Sequence, residues 1–297
     1  MTNTILVPID GSEQGYGGLE YSLVSFPDAT ITALHVIDAG RGRQEVGYDI
    51  GVSRSWEQRA RDTADRLLNR AREQADRHGI EIRTETTMGD PHREILEHIA
   101  VRDVDHVVMG SHGESPITRP FVGRVTEAVV RRAPQSVTVV HETPDELRSR
   151  DLPGRILVPI DGQERATAAL EYALTQFPDA VECTALHVID APFDLTEEQI
   201  TGTYLEPVLD ELREEADEIL SAAASNATEL DGEIETATAF ASPASGIVEY
   251  AVEHGMDQIV MGKHGRSTVS RLLLGSVAEA VSQRSPISVT LVDGNGE

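Results

Sequence analysis

The chain has 297 residues, of which 39% are hydrophobic, enough for one large domain or two ordinary domains with buried cores. Its 25 Lys and Arg residues stand against 51 Asp and Glu residues, which gives a formal net charge of −26 at pH 7. So acidic a surface repels nucleic acid and anionic membranes, and neither is expected as a partner.

Arginine almost completely replaces lysine, since Lys263 is the only lysine in the chain, and aromatic residues make up only 4%. Together with the acid excess, this composition is typical of a protein dissolved in concentrated salt. At ~1 M salt the Debye length is about 3 Å, so the self-repulsion of the surface is screened. We therefore expect a halophilic protein. The alternative is an ordinary acidic protein with biased arginine usage.

The lone cysteine, Cys183, permits no internal disulfide and fits a reducing compartment. The first residues lead straight into an apolar strand, and no apolar run reaches the roughly 18 residues of a membrane span. These features predict a soluble, cytoplasmic protein.

Two copies of one pattern make up the chain. The repeated segments are ILVPIDG at 5–11 and 156–162, TALHVIDA at 32–39 and 184–191, and VVMGSHG at 107–113 with IVMGKHG at 259–265. The offset between the copies is 151 residues at first (156 − 5) and 152 later (184 − 32). We predict two tandem domains, residues 1–142 and 154–297, joined by a polar linker at 143–153.

Short apolar strands alternate with helices in both copies. In chain order they are ILVPI, TITALHVI, IEIRTET, DHVVMG and SVTVVH, then RILVPI, VECTALHVI, EIETATAF, DQIVMG and ISVTLV. This alternation predicts an α/β fold in which each copy is a doubly wound, five-stranded parallel sheet. Ligands of such sheets bind outside the carboxyl ends of the strands, where the winding reverses. The loops after the first and fourth strands are therefore the candidate binding loops.

One long helix of each copy carries an apolar stripe. Its members are Trp56, Ala60, Leu67, Ala71 and Ala75 in the first copy, and Leu205, Leu209, Leu212, Ala216, Ile219, Leu220 and Ala223 in the second. We interpret both stripes as core-facing.

Asp10 and Asp161 follow the first strand of each copy, directly before a glycine. A carboxylate at this position accepts hydrogen bonds from a ribose or a base, or it caps the next helix. The residues alone leave both interpretations open.

The fourth strand of the second copy leads into Gly262-Lys-His-Gly265, nine further residues, and then Gly275-Ser276 before a helix. Glycines let backbone amides approach an anion, and Ser276 adds a hydroxyl donor to the helix N-terminus. The spacing predicts a phosphate cradle. It is not a Walker A loop, because the lysine comes early and no GK[ST] triplet follows.

This G-x2-G-x9-G-[S/T] spacing, the apolar-Met-Gly strand end, the PID opening and the LHVID second strand together resemble the universal stress protein family, of the nucleotide-binding type. The likeness spans both copies and nearly the whole chain outside the linker. It implies a Rossmann-like fold of the adenine nucleotide alpha hydrolase-like kind, and a stress-response regulator or sensor that binds ATP, ADP or AMP, with Mg²⁺ brought by the nucleotide.

Many family members lack the loop and bind no nucleotide, so the alternative is a nucleotide-independent stress scaffold. A flavin or nucleotide electron carrier is a third hypothesis, which the low aromatic content opposes. No nucleophile elbow or paired carboxylates stand out in the sequence, so any ATPase activity or self-phosphorylation should be slow.

Carried over position by position, the resemblance places the nucleoside against the first and second strands and the phosphates in the glycine loop. The implied set in the second copy is Pro159, Ile160, Asp161, Val188, Met261, Gly262, Lys263, His264, Gly265, Gly275, Ser276 and Val277. The corresponding set in the first copy is Asp10, Val36, Met109, Gly110, Gly113, Gly123 and Arg124. Lys263 corresponds to Ser111, so the motif does not require a cation there.

The first copy departs from the motif, since Arg124 stands where Ser or Thr is expected and Pro116 and Pro120 remove amides from the loop. Arg124 either donates to a phosphate in bidentate fashion or fills the cradle. We expect the second site to bind nucleotide in preference to the first, which is vestigial or holds a smaller ligand.

Four histidines lie near these loops. We interpret His35 and His187 as hydrogen-bonded core residues. His112 and His264 lie inside the glycine loops, but no further ligand stands at metal-binding spacing, so no metal site is predicted.

Members of the family pair their last strands across a two-fold axis. The resemblance therefore implies an intrachain pseudo-dimer through SVTVVH and ISVTLV, with a homodimer of whole chains as a further step.

Overall fold

A computed structural model describes residues 4–40, 50–112, 122–150, 152–190, 206–263 and 274–294, with residues 50–54 described by their backbone alone. The chain divides into two compact units, residues 1–149 and 150–297. Each unit is an α/β domain with a parallel sheet, so the predicted fold class is confirmed.

The first unit alternates strands and helices as the sequence predicts. Its strands are β1 (Thr4–Pro8), β2 (Thr30–Asp38), β3 (Arg83–Gly89), β4 (His106–Gly110) and β5 (Ser136–Val140). Its helices are α1 (Glu13–Ser25), α2 (Ile50–Arg77), α3 (Pro91–Val101), α4 (Arg124–Arg132) and α5 (Pro144–Arg148). The strands lie in the order β3-β2-β1-β4-β5, so the winding reverses between β1 and β4.

The second unit repeats this arrangement. Its strands are β6 (Arg155–Pro159), β7 (Glu182–Ile189), β8 (Glu235–Phe240), β9 (Gln258–Gly262) and β10 (Ser288–Val292). Its helices are α6 (Glu164–Gln176), α7 (Glu206–Glu229), α8 (Pro243–Glu253) and α9 (Ser276–Arg284). The parallel order β8-β7-β6-β9-β10 places its reversal between β6 and β9.

The central strands are buried on both faces, which explains their unbroken apolar sequences. Ile5, Leu6 and Val7 of β1 have no exposed surface, and the same holds for Ile156 and Leu157 of β6. Residues of a parallel sheet covered by helices on both sides meet only apolar neighbours, so alternation of polar and apolar residues is lost.

Part of the predicted linker 143–153 is helical and lies in the first unit. Helix α5 begins with a capping box in which the Thr143 side chain and the Glu146 side chain bond each other's backbone amides, and Pro144 occupies the first helical position. Such a stretch of five residues carries no apolar periodicity, because one helical turn is too short to show it.

Helix α5 closes over a buried carboxylate of α1. Glu20 has no exposed surface. Its Oε2 accepts a hydrogen bond from Gln74 Nε2 at 2.6 Å, and its Oε1 accepts one from Arg148 Nε at 3.1 Å. The same Oε1 atom lies 2.7 Å from His78 Nε2. Its counterpart in the second copy, Glu171, is exposed. The glutamate of the same Leu-Glu-Tyr segment is thus buried in one unit and exposed in the other, where the described residues include no equivalent of α5.

We expect Glu20→Ala to lower the free energy of unfolding by about 2 kcal/mol, because the donors of Gln74 and Arg148 lose their buried acceptor. Glu171→Ala is the matched control at the same position of the repeat, and it should change stability by less than about 0.5 kcal/mol. Urea unfolding followed by circular dichroism measures both. Equal effects of the two substitutions would show that the buried cluster contributes nothing.

Candidate functional site

Each unit has a cavity at the carboxyl ends of its strands, at the point where the winding reverses. The cavity of the first unit has a volume of about 740 Å³ and that of the second about 420 Å³. Both volumes fall within the roughly 300–1,000 Å³ of ligand-binding pockets. Below, they are called the first cavity and the second cavity.

The second cavity brings together most of the residues predicted for the second copy. Those that line it are Pro159, Ile160, Asp161, Val188, Met261, Gly262, Gly275, Ser276 and Val277. His264 and Gly265 lie outside the described residues. Lys263 is described, but it does not line the cavity.

The first cavity likewise contains its predicted set. Asp10, Val36, Met109, Gly110, Gly123 and Arg124 line it, as does His112. Gly113 lies outside the described residues. The two sites are therefore built at matching positions of the repeat.

Neither Asp10 nor Asp161 is the N-cap of the following helix. Ser12 caps α1 by accepting a hydrogen bond from the Gly15 amide at 3.0 Å, and the Ser12 hydroxyl donates to Asp10 Oδ1 at 2.6 Å. Asp161 Oδ1 accepts from the Gln163 amide at 3.1 Å, and α6 has no side-chain cap bond. These bonds fix each carboxylate in an Asx turn at the cavity wall.

The N-termini of α4 and α9 form the opposite wall. Gly123 and Gly275 occupy their N-cap positions, and neither helix has a side-chain cap bond. The backbone φ values of −61° and −63° at these glycines suit any residue, so the missing side chain is what distinguishes glycine here. Helix N-termini of this kind offer amides and a positive dipole end to an anion.

The glycines that end β4 and β9 also have a packing role. A Cβ on Gly110 would lie 2.6 Å from the Gln14 carbonyl carbon and 2.7 Å from the Gly15 amide nitrogen. A Cβ on Gly262 would lie 3.1 Å from the Arg165 carbonyl oxygen, a tighter contact than side chains normally make. The first turns of α1 and α6 thus approach the strand ends closely, which fixes the rear of each cavity.

Lys263 is buried rather than presented to the cavity. Its exposed fraction is 3%, its amide donates to the Val292 carbonyl at 2.9 Å, and its carbonyl accepts from the Gly275 amide at 2.8 Å. Burial lowers the pKa of its ammonium group to about 8, and the nearby Asp293 carboxylate opposes part of this shift. The backbone of Lys263 therefore ties the strand end to the start of α9.

Several cavity residues were missed by sequence reasoning. His35 and His187, interpreted as core histidines, are hydrogen-bonded through Nδ1 to the carbonyls of Ile9 and Ile160 at 2.7 and 2.8 Å, yet they line the cavities. Other missed residues include Asp38, Arg59, Thr63, Pro91 and Ile95 in the first cavity, and Asp190, Glu215, Pro243 and Ile247 in the second. The Asp of LHVID at the end of the second strand was the one available signal, because a parallel strand ends at the ligand-binding edge.

The interpretation of the two apolar stripes as core-facing was wrong in part. Ala71 and Ala75 are buried, but Trp56, Ala60 and Leu67 line the first cavity. In the second unit, Leu212 lines the second cavity, and Leu205 lies outside the described residues. Part of each stripe therefore lines a cavity. Apolar side chains line ligand pockets as well as cores, so the apolar pattern alone does not distinguish the two.

Within the described parts of the chain, no group of three or more His, Cys, Asp or Glu side chains is placed to hold a metal ion. The same parts contain no helix long and apolar enough to cross a membrane.

Cys183 is buried, and burial raises the pKa of its thiol to about 12.

Comparison with known proteins gives consistent matches. A sequence model of the Universal stress protein family matches residues 1–141 and again residues 153–293. A universal stress protein of Mycolicibacterium smegmatis is 25% identical over 295 residues, 97% of this chain and 96% of that protein. One from Methanocaldococcus jannaschii is 34% identical over 147 residues, 48% of this chain and 84% of that protein. The crystal structure of a universal stress protein from Archaeoglobus fulgidus has the same fold, with a TM-score of 0.73 at 24% identity, covering 99% of this chain and 100% of that one.

The fold and the cavities define the class of protein: it is a tandem, doubly wound α/β protein with a ligand-sized cavity where the winding of each sheet reverses. The two family matches then cover most of the chain, one for each copy of the repeat. The chain belongs to the universal stress protein family, in its tandem-domain form, and the resemblance seen in the sequence is confirmed.

The buried ammonium of Lys263 predicts a pH-dependent stability. Its pKa is lowered from the ordinary 10.5 to about 8, so its cost is fully present below pH 8 and disappears as the pH rises to 10.5. We therefore compare the free energy of unfolding of Lys263→Met with that of the wild type. This difference should favour the variant by about 3 kcal/mol more at pH 7 than at pH 10.5. Urea unfolding of both proteins across this range measures the difference.

Lys263→Arg is the control for this titration. A guanidinium keeps its proton over the same range, so this variant should fall further behind the wild type as the pH rises. Parallel stability curves for the wild type and Lys263→Met would contradict a charged, buried lysine.

Proposed function

We propose that this universal stress protein binds an adenine nucleotide, ATP, ADP or AMP, in the cavities where its sheets reverse their winding. One observation carries the proposal: the glycine-capped N-terminus of α9 faces the same cavity as Asp161 and Val188 at the ends of β6 and β7. An anion-binding helix end and a nucleoside-sized apolar wall are thereby brought to one place.

Each part of a nucleotide has a matching wall in the second cavity. Asp161 offers a carboxylate oxygen to ribose hydroxyls. Ile189, Ile247 and Met261 supply an apolar surface for a flat base. The amides of Ser276 and Val277 and the exposed Ser276 hydroxyl are donors for phosphate oxygens, whereas the Gly275 amide is already bonded to the Lys263 carbonyl.

The biological role follows from binding rather than turnover. We propose a cytoplasmic stress-response regulator or sensor, in which bound nucleotide stabilises one conformation or one partner surface by its differential affinity. Any Mg²⁺ arrives with the nucleotide phosphates. The intrachain pairing of last strands that the sequence predicts stays a proposal, and light scattering in high salt would test whether whole chains associate further.

A nucleotide-independent scaffold is the competing function, and one observation favours it. Asp161, Asp190 and Glu215 all line the second cavity, and three carboxylates disfavour a phosphate nearby. Under this alternative, neither AMP nor Mg-ATP produces heat in calorimetry, and no ligand is carried through purification.

The hydroxyl of Ser276 separates the two functions. We expect Ser276→Ala to weaken AMP binding at one site by roughly three- to tenfold, the equivalent of one hydrogen bond of about 0.5–1.5 kcal/mol. Isothermal titration calorimetry measures this in about 1 M KCl, where the Debye length is ~3 Å and the acidic surface is screened.

Two controls accompany this prediction. Ser282→Ala removes a hydroxyl from the same helix that bonds the Glu279 carbonyl at 2.9 Å and does not line the cavity. Lys263→Arg alters the buried residue next to the strand end. Both should leave AMP affinity closer to that of the wild type than Ser276→Ala does, and the reverse order would overturn the assignment of Ser276.

A further inference from the structure

The two cavities share a backbone frame but differ in the side chains on it. Helices α2 and α7 align through their buried positions, which repeat at an offset of 152 residues. These are Ala64 and Ala216, Leu68 and Leu220, Ala71 and Ala223, and Ala75 and Ala227. The same offset pairs the first residue of α4 with the first residue of α9 (124 + 152 = 276).

Charge is what changes at the matching positions. Three pairs that differ in charge are Arg59 and Glu211, Thr63 and Glu215, and Arg124 and Ser276, and of these six residues only Glu211 does not line its cavity. At each pair the first copy carries the more positive residue or the second the more negative one. The aspartates of the PID and LHVID segments, by contrast, are the same in both copies.

The two cavities therefore differ in net charge. Arg59 and Arg124 line the first cavity together with Asp10 and Asp38, so cations balance carboxylates. The described lining of the second cavity holds Asp161, Asp190 and Glu215 and no arginine or lysine. Arg59, Arg124 and Glu215 are exposed, so salt screens their charges, and they act mainly on ligand groups that they touch.

Arg59 and Arg124 approach the first cavity from two different elements. Arg124 is the first residue of α4, beside the free amides of its N-terminus, and Arg59 lies on α2. Arg59 donates a long hydrogen bond of 3.4 Å to Ser55 Oγ, and its guanidinium has further N–H groups to offer. Two planar guanidinium forks on one cavity suit a ligand with several phosphate groups.

Size points in the same direction. Ala60 lines the first cavity where Leu212 lines the second, and the first cavity is larger, at about 740 against about 420 Å³. A longer ligand therefore has more room in the first cavity than in the second.

We propose that the two cavities select ligands of different charge: the first binds a nucleoside polyphosphate through Arg59 and Arg124, and the second binds a nucleoside or a nucleoside monophosphate. This inference rests on the proposed nucleotide binding. It assigns the polyphosphate to the copy whose motif is altered at Arg124, whereas the motif alone favours the other copy.

The chain supplies a reporter for the first cavity, because Trp56 is its only tryptophan and lines that cavity. Val208, at the corresponding position of α7, is 40% exposed, so Val208→Trp in a Trp56→Phe background moves the reporter to the second unit. Fluorescence titrations with adenosine, AMP and ATP in the presence of EDTA then read each cavity separately, and calorimetry counts the sites.

At the first cavity we expect ATP to bind at least about tenfold more tightly than adenosine. At the second cavity we expect ATP to bind more weakly than AMP or adenosine. The contrast should decrease as KCl is raised, because part of it is Coulombic.

Exchanging the differing residues tests their role directly. Arg59→Glu with Arg124→Ser places at two positions of the first cavity the residues that the second copy carries there, and this variant should lose about tenfold in ATP affinity while its adenosine affinity changes much less. Glu215→Thr with Ser276→Arg is the reciprocal change, and it should raise ATP affinity at the second cavity. Should the first pair of substitutions abolish adenosine binding as well, the reciprocal variant decides: a gain supports the inference and no gain overturns it.

Other outcomes separate this inference from the proposed function. Wild-type protein that binds none of the three ligands contradicts nucleotide binding itself. The same ligand order at both cavities contradicts only the charge selection. Arg266 and Arg271 lie in the second glycine loop, outside the described residues. If they supply the phosphate contacts, ATP will bind tightly at the second cavity and the inference is wrong.

Discussion

The reversal of winding between the first and fourth strands of each unit is the constraint on which the rest of the site depends. β1 pairs with β2 over five residues, from Thr4 to Pro8, but with β4 only at Ile5 and Leu6. β6 and β9 show the same short pairing, at Ile156 and Leu157. Because the two central strands pair only over their amino-terminal halves, a cleft opens at their carboxyl ends. The close approach of α1 to Gly110 closes the rear of that cleft.

The sequence predicted much of this frame, since it depends on local pattern and repetition. Strand order follows from the α/β alternation, and the PID, LHVID and Met-Gly segments end at one edge of the sheet because parallel strands share a direction. The sequence does not show how much of the apolar stripe of α2 packs on the core and how much of it lines the cavity. Trp56, Ala60 and Leu67 belong to the same apolar stripe as Ala71, yet these three residues line the cavity whereas Ala71 is buried in the core. A periodic pattern gives the face of a helix, but not which part of that face has a core to cover.

Burial of charged groups was the other feature hidden in the sequence. Glu20 and Glu171 occupy identical Leu-Glu-Tyr segments, and their opposite environments depend on α5, more than 100 residues away in sequence from Glu20. Lys263 stands in a glycine loop that suggested a phosphate contact, but its side chain is buried, and its backbone carbonyl accepts from the Gly275 amide at the start of α9. Such contacts join residues that are distant in sequence, so neither composition nor motif spacing predicts them.

The two copies share one backbone arrangement, but the charged side chains that line their cavities differ. Over the whole molecule the net charge of −26 opposes any anionic ligand. In concentrated salt this field is screened within ~3 Å, so discrimination passes to the groups that touch the ligand. Under those conditions the selectivity that we propose depends more on a single exchange such as Arg124 for Ser276 than on the many surface carboxylates. A strongly acidic protein can therefore keep an anion site, provided that its cations line the cavity, as Arg59 and Arg124 do.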